Sequence, residues 1–397
     1  MDFSEVPLSD EDRAFRDELR ALLAEIVTDE VLARDRRTGD NFDEEVHLAL
    51  GAKGYLAADF HSADEGGFTP VRRRIWDLEI GRARTPWFHW GTTAMVARMV
   101  AALASDELRD EVLPGVLDGR IRLCLGYTEP EGGSDVATCK TRSARDGDSW
   151  IINGSKMFTS NAHHAQYVFL LTNSDPAAPK HQNLTMFLVP LDSPGIEIQG
   201  IRTVDGDRTN IVYYSDVRVD DRYRVGEVNG GWAVMRWALA VEHGAVGADA
   251  QGLQKLATMS EHGVLLAQAL DRAAGILDTA DERGVRPLDD GAVAYRLGRC
   301  LARTEMALST PELYGRVAIA QTMREVSPEV MDLLGVAACL PAGAAGAADD
   351  GAAEYVFRLA GPTGIYGGTL EVFRNMIAQH ALGLGRPSYA PPSTRTS

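Results

Sequence analysis

The sequence has few cysteines and no long apolar run, which argues against several large classes of protein. Its 397 residues include four cysteines, none of them in a CxxC pair: Cys124, Cys139, Cys300 and Cys339. Scattered cysteines are typical of reduced thiols in a cytoplasm rather than of a disulfide framework or a zinc site. No apolar run is long enough to span a bilayer, and the acidic, amphipathic N-terminal segment lacks the pattern of a signal peptide. We therefore expect a cytoplasmic protein with no membrane span.

Basic residues and the common nucleotide-binding motifs are also scarce. Lysine and arginine together number 40 against 57 aspartates and glutamates, for a formal net charge of −17, which argues against nucleic acid as the main partner. An anionic small molecule needs only a local basic site and is not excluded. The chain has no GxGxxG motif between a strand and a helix, no GxxxxGK[ST] motif and no GxSxG motif. These absences argue against a Rossmann nicotinamide site, ATP hydrolysis and serine hydrolysis.

What is present is a helical pattern, then a β-rich pattern, then a second helical pattern. The segment SDEDRAFRDELRALLAEIV begins with Ser9 as a candidate N-cap and has apolar residues at helical spacing. Between about residues 120 and 226, short runs of branched and aromatic residues alternate with turn residues, which predicts a small antiparallel barrel or sandwich. We therefore predict an α+β protein with an N-terminal helical domain (1–119), a central β domain (120–226), a C-terminal four-helix-bundle domain (227–386) and a tail (387–397). Within the last helical domain, the Gly/Ala-rich segment LPAGAAGAADDGAAE predicts a mobile loop.

The segment LGYTEPEGGSDV, residues 125–136, concentrates residues that can bind a ligand. Gly132 and Gly133 let backbone N–H groups approach a ligand closely, and Ser134 adds a hydroxyl, as an anion-binding site requires. An ordinary connection between two strands explains the same residues.

A second candidate ligand site follows in the segment KMFTSNA. Phe158 and Ser160 are two residues apart, which places them on one face of a strand. An aromatic ring beside a hydroxyl suits a planar heterocycle, and it equally suits a core phenylalanine beside a hydrogen-bonded serine. His163 and His164 do not indicate a metal site, because we expect adjacent histidines to point apart and no carboxylate lies at ligand spacing.

Glu242 lies in an unusually apolar segment, WALAVEHGAVGA. In a helix its neighbours one turn away would be Ala238, Leu239, Ala245 and Val246. A carboxylate in such surroundings either pairs with a distant arginine or is kept there for chemistry, because burial without a partner is costly.

Together these segments resemble the acyl-CoA dehydrogenase family of flavoenzymes. YTEPEGGSDV is similar to the family's Y/V-T-E-P-x-A/G-G-S-D signature, and WIINGSKMFTSNA is similar to its W-x-I-N-G-x-K hairpin. The segment IYGGTLEVFRNMIAQHALGLGRP is similar to the closing motif Y-E/G-G-T-x-E/Q-I-x-R-N-x-I-A. The order of the motifs and the α–β–α layout match over nearly the whole chain, from about residue 9 to 386.

The resemblance implies an FAD cofactor and the residues that bind it. Residues 125–134 would hold the flavin, with its pyrimidine edge against Tyr127 and Thr128. Phe158 and Ser160 would face the flavin ring and its N5 atom. The full set of implied cofactor-binding residues is Leu125, Tyr127, Thr128, Gly133, Ser134, Phe158, Ser160, Arg283, Thr369 and Glu371.

The reaction that the resemblance implies is the α,β-desaturation of an acyl thioester, in which a glutamate removes the α-proton while a hydride leaves the β-carbon for flavin N5. In many members this glutamate precedes the GT of the closing motif, but that residue here is Gly367, which cannot act as a base. Members of the isovaleryl and long-chain type place the glutamate at the position of Glu242. The resemblance thus implies Glu242 as the base and Ser134, His243 and Gly367 as substrate-binding residues. The apolar neighbours of Glu242 suit this role, because burial makes a carboxylate more basic.

The contacts that family members make to the FAD of a neighbouring subunit are only partly present. Where members have E-R-x-x-F-G, this chain has ERGVRP, with Arg283 kept and Arg286 in place of the phenylalanine. Where members have Q-x-x-G-G, this chain has DLLGV, with Asp332 and Val336 in place of glutamine and glycine. Two explanations stay open: a heteromer in which not every pair of subunits completes an FAD site, and drift within the family.

The main hypothesis is an acyl-CoA dehydrogenase that passes its electrons to an electron-transfer flavoprotein and forms a dimer or tetramer, homomeric or heteromeric. One alternative is a flavin oxidase or monooxygenase that uses O₂, which the presence of Glu242 disfavours. The other is a non-catalytic or half-site partner subunit. The acyl carrier is CoA or an acyl-carrier protein. The sequence does not identify the acyl chain, although Gly367 and the small residues of the C-terminal helices are compatible with a bulky or branched one.

Overall fold

The computed structural model describes residues 7–242 and 259–385. The chain divides into two compact units, Met1–Ala250 and Gln251–Ser397. Helices precede a β-sheet in the first unit and the second unit is helical, which confirms the predicted α+β fold class. No helix in the described ranges combines the length and the apolar composition needed to cross a bilayer. The predicted tail and His243 lie outside the described residues.

The described helices before the sheet are α1 (Asp10–Ile26), α2 (Asp29–Thr38), α3 (Glu44–Ala52), α4 (Tyr55–Phe60), α5 (Pro70–Ala83), α6 (His89–Leu103) and α7 (Asp106–Leu117). Polar side chains cap the N-termini of all of them except α4 and α6. Ser9 Oγ accepts a hydrogen bond from the N–H of Asp12 at 3.1 Å, which confirms the predicted N-cap of α1. The side chains of Thr28, Asp43, Thr69 and Ser105 cap α2, α3, α5 and α7 in the same way.

One eight-stranded sheet forms the central domain. Its strands are β1 (Leu123–Gly126), β2 (Arg142–Asp146), β3 (Ser149–Lys156), β4 (Tyr167–Asn173), β5 (Leu184–Pro190), β6 (Ile196–Arg202), β7 (Arg208–Asp220) and β8 (Arg224–Val225). Their order is β6-β7-β3-β2-β4-β5-β8, and β1 pairs with β4. Most pairs are antiparallel, as predicted, but β1 runs parallel to β4. The sequence analysis did not identify β2, which has only one buried residue.

The strands of the sheet share an apolar core, as the predicted barrel or sandwich requires. Strands β1, β3, β4, β5 and β7 all contribute buried side chains to it. Trp150 of β3 and Phe187 of β5 meet edge to face, with ring centroids 5.4 Å apart. Thr93 of α6 covers the edge of β1, because its hydroxyl lies 3.2 Å from both the N–H and the carbonyl of Leu123. These two hydrogen bonds attach α6 to the sheet.

The helices of the first unit bury two histidines. His47 is 2% exposed, with ring centroids 5.4 Å from Phe42 and 5.9 Å from Trp90. Burial, and after it the charge of Arg122, lower the pKa of His47 to about 4. Burial also lowers the pKa of His89 to about 4. Both rings are therefore neutral in the folded protein at neutral pH.

The last helix described in the first unit is α8 (Gly231–Glu242), and it follows β8. It buries Val234, Met235 and Ala238. The change from helix to strand falls between residues 117 and 123, and the change back between 225 and 231. The domain boundaries drawn from the sequence stay a prediction, and α8 groups with the first unit rather than the second.

The second unit contains one apolar core. Its described helices are α9 (Ser260–Leu277), α10 (Gly291–Leu308), α11 (Glu312–Leu334), α12 (Ala352–Ala360) and α13 (Leu370–Met376). Helices α9 to α12 share that core, which agrees with the predicted four-helix arrangement. The Gly/Ala-rich segment predicted as a loop is held by hydrogen bonds and ends in the first turn of α12. Its Asp350 accepts from the N–H of Gly343 at 3.1 Å, and Ala353 is fully buried.

We expect acidification to destabilise the first unit through His47 and His89. Their folded-state pKa values, about 4, lie below the ordinary value of 6.5, so the unfolded chain binds more protons between these values. The stability that depends on neutral rings is complete above pH 6.5 and is lost as the pH falls, by about 1.4 kcal/mol per pH unit for each histidine. Thermal midpoints at pH 7 and pH 5 measure this loss. His47→Phe should lose less stability than the wild type over that interval, and an equal loss in both proteins would contradict the assignment.

Candidate active site

The cradle loop, residues 127–141, leaves the sheet and returns to it along the same edge of β4. β1 pairs with the first part of β4 and ends at Gly126, whereas β2 joins the last residue of β4, Asn173, through Arg142. The N–H of Asn173 donates to the carbonyl of Thr141 at 2.7 Å where the loop rejoins the sheet. The loop therefore bridges the gap between two strands that share one neighbour.

A buried ion pair ties the cradle loop to β3. Lys156 has no exposed surface and Glu129 is 7% exposed. Nζ of Lys156 lies 2.8 Å from Oε1 of Glu129 and donates to the carbonyl of Tyr127 at 3.3 Å. The N–H groups of Lys140 and Thr141 donate to the same carboxylate at 2.7 and 2.9 Å. One carboxylate thus joins both ends of the loop to the neighbouring strand.

The electrostatics of this pair depend on its burial. Burial by itself raises the pKa of Glu129, but the charge of Lys156 and the hydrogen bonds to the carboxylate outweigh it and hold the pKa at about 2. The thiol of Cys139 lies 3.2 Å from Glu129 and 3.3 Å from Nζ of Lys156. Burial raises the pKa of Cys139 to about 11, so the thiol is neutral and does not compete for the ammonium. Removing one partner of such a pair leaves a buried charge uncompensated.

The tip of the cradle loop is a tight turn that exposes hydrogen-bond donors. Glu129 and Gly132 exchange backbone hydrogen bonds of 3.0 and 3.1 Å. A Cβ atom on Gly132 would lie 2.6 Å from Oγ1 of Thr138, so any other residue at this position would displace that hydroxyl. Gly133 and Ser134 follow it on the surface, and their N–H groups donate to no other residue in the described ranges. The tip therefore offers the donors that the sequence predicted for an anion.

The remaining predicted residues of the loop lie against neighbouring strands. Leu125 belongs to β1 and is half-buried. The ring of Tyr127 meets Phe169 of β4 edge-on, with centroids 6.2 Å apart. The carbonyl of Thr128 accepts from the N–H of Met157 at 2.8 Å. This last bond joins the loop to the residue before Phe158 and brings the two predicted ligand segments together.

Phe158 and Ser160 lie in a turn and not on a strand. β3 ends at Lys156, and Phe158 has a φ of 57°, so the alternation expected of a strand does not apply here. The ring of Phe158 is 53% exposed. The hydroxyl of Ser160 lies 3.0 Å from that of Thr209 on β7. The structure therefore provides an exposed aromatic ring near a hydroxyl, although by a different backbone geometry from the predicted one.

A hydrogen-bond network behind this turn corrects the expectation for the histidine pair. Both side chains converge on Asp40, with Nε2 of His163 at 3.1 Å and Nε2 of His164 at 3.5 Å from its two oxygens. The expectation that adjacent histidines point apart was wrong, because the carboxylate comes from a distant part of the chain. Burial raises the pKa of Asp40, but the hydrogen bonds and charges of the two histidines outweigh it, and the pKa lies below its usual value.

These three side chains could also surround a metal ion, but their hydrogen bonds favour a structural role. The amide Nδ2 of Asn210 donates to the carbonyl of Thr159 at 3.0 Å and lies 3.2 Å from Nδ1 of His163. Nδ1 is therefore an acceptor, and the ring proton resides on Nε2, facing Asp40. A metal would need the lone pair of that same nitrogen. The network instead fixes the turn that carries Phe158 and Ser160, and the prediction of no metal stays a prediction.

The groups at the cradle loop and the following turn fit a flavin. A flavin has a flat ring and a phosphate-bearing chain, and binding it requires an aromatic or apolar face, hydroxyl or N–H donors for the ring edge, and donors for the anion. Phe158 supplies an exposed ring, Ser160 a hydroxyl, and the loop tip at Gly133 and Ser134 the free N–H groups. The chemistry of this donor set agrees with the cofactor that the sequence implied.

The closing motif in the second unit places its predicted residues at the start of α13. Gly367 is exposed with a φ of +63°. Gly368 has a φ of +97°, and a Cβ there would lie 2.8 Å from the ring of Phe373. Oγ1 of Thr369 accepts from the N–H of Val372 at 3.3 Å and caps the helix. Glu371 is exposed in the first turn.

The two arginines of the segment ERGVRP, where family members contact a neighbour's FAD, take part in ion pairs within their own unit. Arg283, whose side chain is 81% exposed, pairs with Asp281 at 2.8 Å and lines an open surface groove. Arg286 pairs with Asp278 at 3.0 Å and also with Asp289. Three aspartates thus pair with these two arginines. The positive charge that would attract a phosphate is therefore already neutralised.

The second segment predicted for a neighbour's FAD shows the same behaviour. Asp332, which stands where the family has glutamine, pairs with Arg296 of α10. Val336, which stands where the family has glycine, is 87% exposed. Within the second unit, neither Asp332 nor Val336 is positioned as part of a cofactor site.

Of the predicted base the structure describes the backbone only. Glu242 is the last described residue of α8, on a helix whose buried side chains are apolar. Its side chain and the whole of His243 lie outside the described residues.

The buried Glu129–Lys156 pair was not predicted, although the sequence carries a signal for it. Successive side chains of a strand point to opposite faces of the sheet. Trp150, Ile152 and Lys156 are separated by even numbers of residues, so the lysine lies on the same buried face of β3 as Trp150 and Ile152. A lysine on a core face requires a carboxylate, and the nearest motif offers Glu129 or Glu131.

Comparisons with known proteins match both the N-terminal helices and the β-sheet domain. Residues 9–120 match the N-terminal domain of acyl-CoA dehydrogenases, and residues 124–221 match their middle domain. The acyl-CoA dehydrogenase FadE26 of Mycobacterium tuberculosis is 30% identical over 400 residues, covering 94% of this chain and 96% of FadE26. A chain of the ChsE4–ChsE5 complex from Mycobacterium tuberculosis is 28% identical with a TM-score of 0.79, over 97% of this chain and 100% of that one. A chain of the Tcur3481–Tcur3483 steroid ACAD is 29% identical with a TM-score of 0.75, over 98% and 100%.

We expect Lys156→Met to lower the free energy of unfolding by about 3–5 kcal/mol, because it leaves the carboxylate of Glu129 buried without its cation. Glu129→Gln combined with Lys156→Met should lose less than the two single changes together, since no charge then remains. Lys140→Met is the matched control, because its 2.8 Å pair with Glu131 lies on the surface and contributes little. Urea titrations followed by circular dichroism measure the wild type, the two single variants of the pair, the double variant and the Lys140→Met control. Equal losses for the Lys156 and Lys140 variants would refute the assigned role of the pair.

Proposed function

Because the chain belongs to the acyl-CoA dehydrogenase family, we propose that it introduces a double bond between Cα and Cβ of an acyl-CoA thioester with FAD as its cofactor. The observation that carries this proposal is the cradle loop, which the Glu129–Lys156 pair holds in place and which presents the free N–H groups of Gly133 and Ser134.

Each unit has residues that are proposed to contact an FAD. In the first unit they are Leu125, Tyr127, Thr128, Gly133, Ser134, Phe158 and Ser160; in the second they are Arg283, Thr369 and Glu371. When bound, FAD supplies the acceptor for the hydride that leaves Cβ. The protein contributes orientation at the loop, an aromatic surface at Phe158 and a hydroxyl at Ser160.

Glu242 is the proposed base for the α-proton. That proton is only weakly acidic, so its removal needs a carboxylate made more basic by its surroundings and a donor for the developing enolate oxygen. The apolar helix that carries Glu242 supports the first requirement. The exposed N–H of Gly367 is the proposed donor to the thioester oxygen, with Ser134 and His243 on the substrate side.

The proposed acyl group is bulky. Glycine at position 367 removes a side chain from the position where many family members carry their base, and one similar chain belongs to a complex described as a steroid ACAD. Electrons are proposed to pass to an electron-transfer flavoprotein, the acceptor expected of the family.

A heteromeric assembly is the second part of the proposal. Arg283 and Arg286 are already paired with aspartates of their own unit, and Asp332 is paired with Arg296. Two of the similar chains come from complexes of two different subunits. A subunit of this kind would bind FAD through its cradle loop and contribute weakly to a neighbour's site.

Glu242→Gln tests the proposed base. Anaerobic titration with a panel of saturated acyl-CoAs should bleach the flavin band of the wild type, whereas the variant should keep its flavin and bleach at least about 100-fold more slowly. Glu227→Gln, at an exposed glutamate just before α8, is the control and should behave as the wild type. Bleaching of the Glu242 variant at the wild-type rate would remove Glu242 from the mechanism. Rapid reoxidation of the bleached protein by O₂ would favour the oxidase alternative.

Flavin content per chain tests the heteromer. The chain expressed alone should bind less than one FAD per chain, because its own contacts to a neighbour's cofactor are already engaged in ion pairs, and coexpression with a second family subunit should raise the ratio. The absorbance ratio of the flavin and protein bands gives the stoichiometry. Full occupancy in the chain expressed alone would exclude the half-site explanation.

A further inference from the structure

Helix α11 places one arginine entirely beneath the closing motif of the second unit. Arg316 has no exposed surface. Its guanidinium donates to the carbonyls of Thr363, Tyr366 and Gly368, the last at 3.2 Å. Its Cζ atom lies 5.3 Å from the centroid of the Phe373 ring. A rigid, planar group with several donors thus holds three carbonyls of one short segment at the same time.

The hydrogen bond to Tyr366 determines the direction of the next N–H group. In a planar trans peptide the carbonyl and the N–H point in opposite directions, and the described part of the chain contains no cis peptide. The carbonyl of Tyr366 points at Arg316, so the N–H of Gly367 points away from it. Gly367 is exposed, and its N–H donates to no acceptor in the described ranges. This donor is therefore oriented by the fold and available to a ligand.

The charge of Arg316 also acts on the strength of that donor. A cation at the carbonyl oxygen polarises the peptide group and makes its N–H a better hydrogen-bond donor, and a low dielectric strengthens the effect. The burial of Arg316 keeps water away from its guanidinium. Arg316 therefore both orients the N–H of Gly367 and polarises it.

We propose that Arg316 is a positioning residue, which aims the N–H of Gly367 at the thioester carbonyl oxygen of the substrate and polarises it as a donor to the developing enolate. This inference rests on the proposed function. Arg316 itself does not contact the substrate in this account and acts only through the peptide between Tyr366 and Gly367.

A second network holds the same segment without Arg316. Oγ1 of Thr363 donates to the carbonyl of Leu359 at 2.7 Å and lies 2.9 Å from Nδ1 of His262, which must therefore donate to it. Nε2 of His262 is then the acceptor for the hydroxyl of Tyr366, 3.0 Å away. Burial, and after it the charge of Arg316, lower the pKa of His262 to about 4, so the ring is neutral and keeps this pattern. Variants at Arg316 are therefore expected to retain the fold of the segment.

The experiment compares Arg316→Lys and Arg316→Gln with a control on the same helix. Lysine keeps the charge but cannot hold several carbonyls in one plane, and glutamine removes the charge. Arg324→Gln is the control, because Arg324 binds the carbonyls of Ala360 and Gly361, at 3.4 and 3.0 Å, and not that of Tyr366. Melting curves establish that each variant is folded.

Two readouts separate positioning from structure. With the acyl-CoA that bleaches the wild type fastest, both Arg316 variants should lower kcat by about 10- to 100-fold while KM changes by less than about threefold. With bound 3,3-dimethylbutyryl-CoA labelled with ¹³C at the thioester carbonyl, which has no β-hydrogen to lose, the infrared carbonyl band should shift to higher frequency in both variants. Arg324→Gln should leave kcat and the band at their wild-type values.

The outcomes are distinct. A folded Arg316→Lys with unchanged kcat and an unchanged carbonyl band overturns the inference and leaves the proposed function intact. A wild type that no acyl-CoA bleaches overturns the proposed function and the inference with it. If neither Arg316 variant folds, the wild-type band decides: a carbonyl frequency no lower than that of the free probe in water overturns the inference, and a lower one supports it.

Discussion

A lysine and a carboxylate buried together hold the candidate site of the first unit in shape. Taking both charges out of water is costly, and their attraction offsets that cost only because every remaining lone pair finds a donor. Here the carboxylate of Glu129 also accepts from the N–H groups of Lys140 and Thr141, at the far end of the cradle loop. The pair therefore closes a loop that interrupts the edge of the sheet, and the loop tip at Gly133 and Ser134 is left exposed for a ligand.

The second unit buries a cation by a different route. Lys156 pairs with a carboxylate, whereas the terminal nitrogens of the Arg316 guanidinium donate to peptide carbonyls of the segment that ends in the closing motif. The difference suits the two tasks, because the loop in the first unit needs a fixed shape and the segment at Gly367 needs a polarised donor. In both cases a residue outside the ligand contacts arranges backbone N–H groups, and those groups are the proposed contacts.

Local patterns predicted most of the fold, and contacts between distant residues account for the differences. The N-cap at Ser9 and the strand from Ser149 were readable because capping and alternation involve neighbours a few residues apart. No local sequence pattern predicts that His163 and His164 contact Asp40, because Asp40 lies in a distant part of the chain. The turn at Phe158 was read as strand because a left-handed backbone at a phenylalanine has no sequence signature. The position of Lys156 on the buried face of β3 was a local pattern that could have been used and was not.

Amide hydrogen exchange of the flavin-free protein tests whether the cradle loop is formed before any cofactor binds. The N–H groups of Lys140 and Thr141 donate to the buried Glu129, and that of Met157 donates to Thr128. We expect peptides covering these amides to exchange slowly without flavin, and we expect added FAD to protect mainly residues 131–135. Fast exchange at all three amides until FAD is added would contradict this expectation, because the cofactor and not the ion pair would then be ordering the loop.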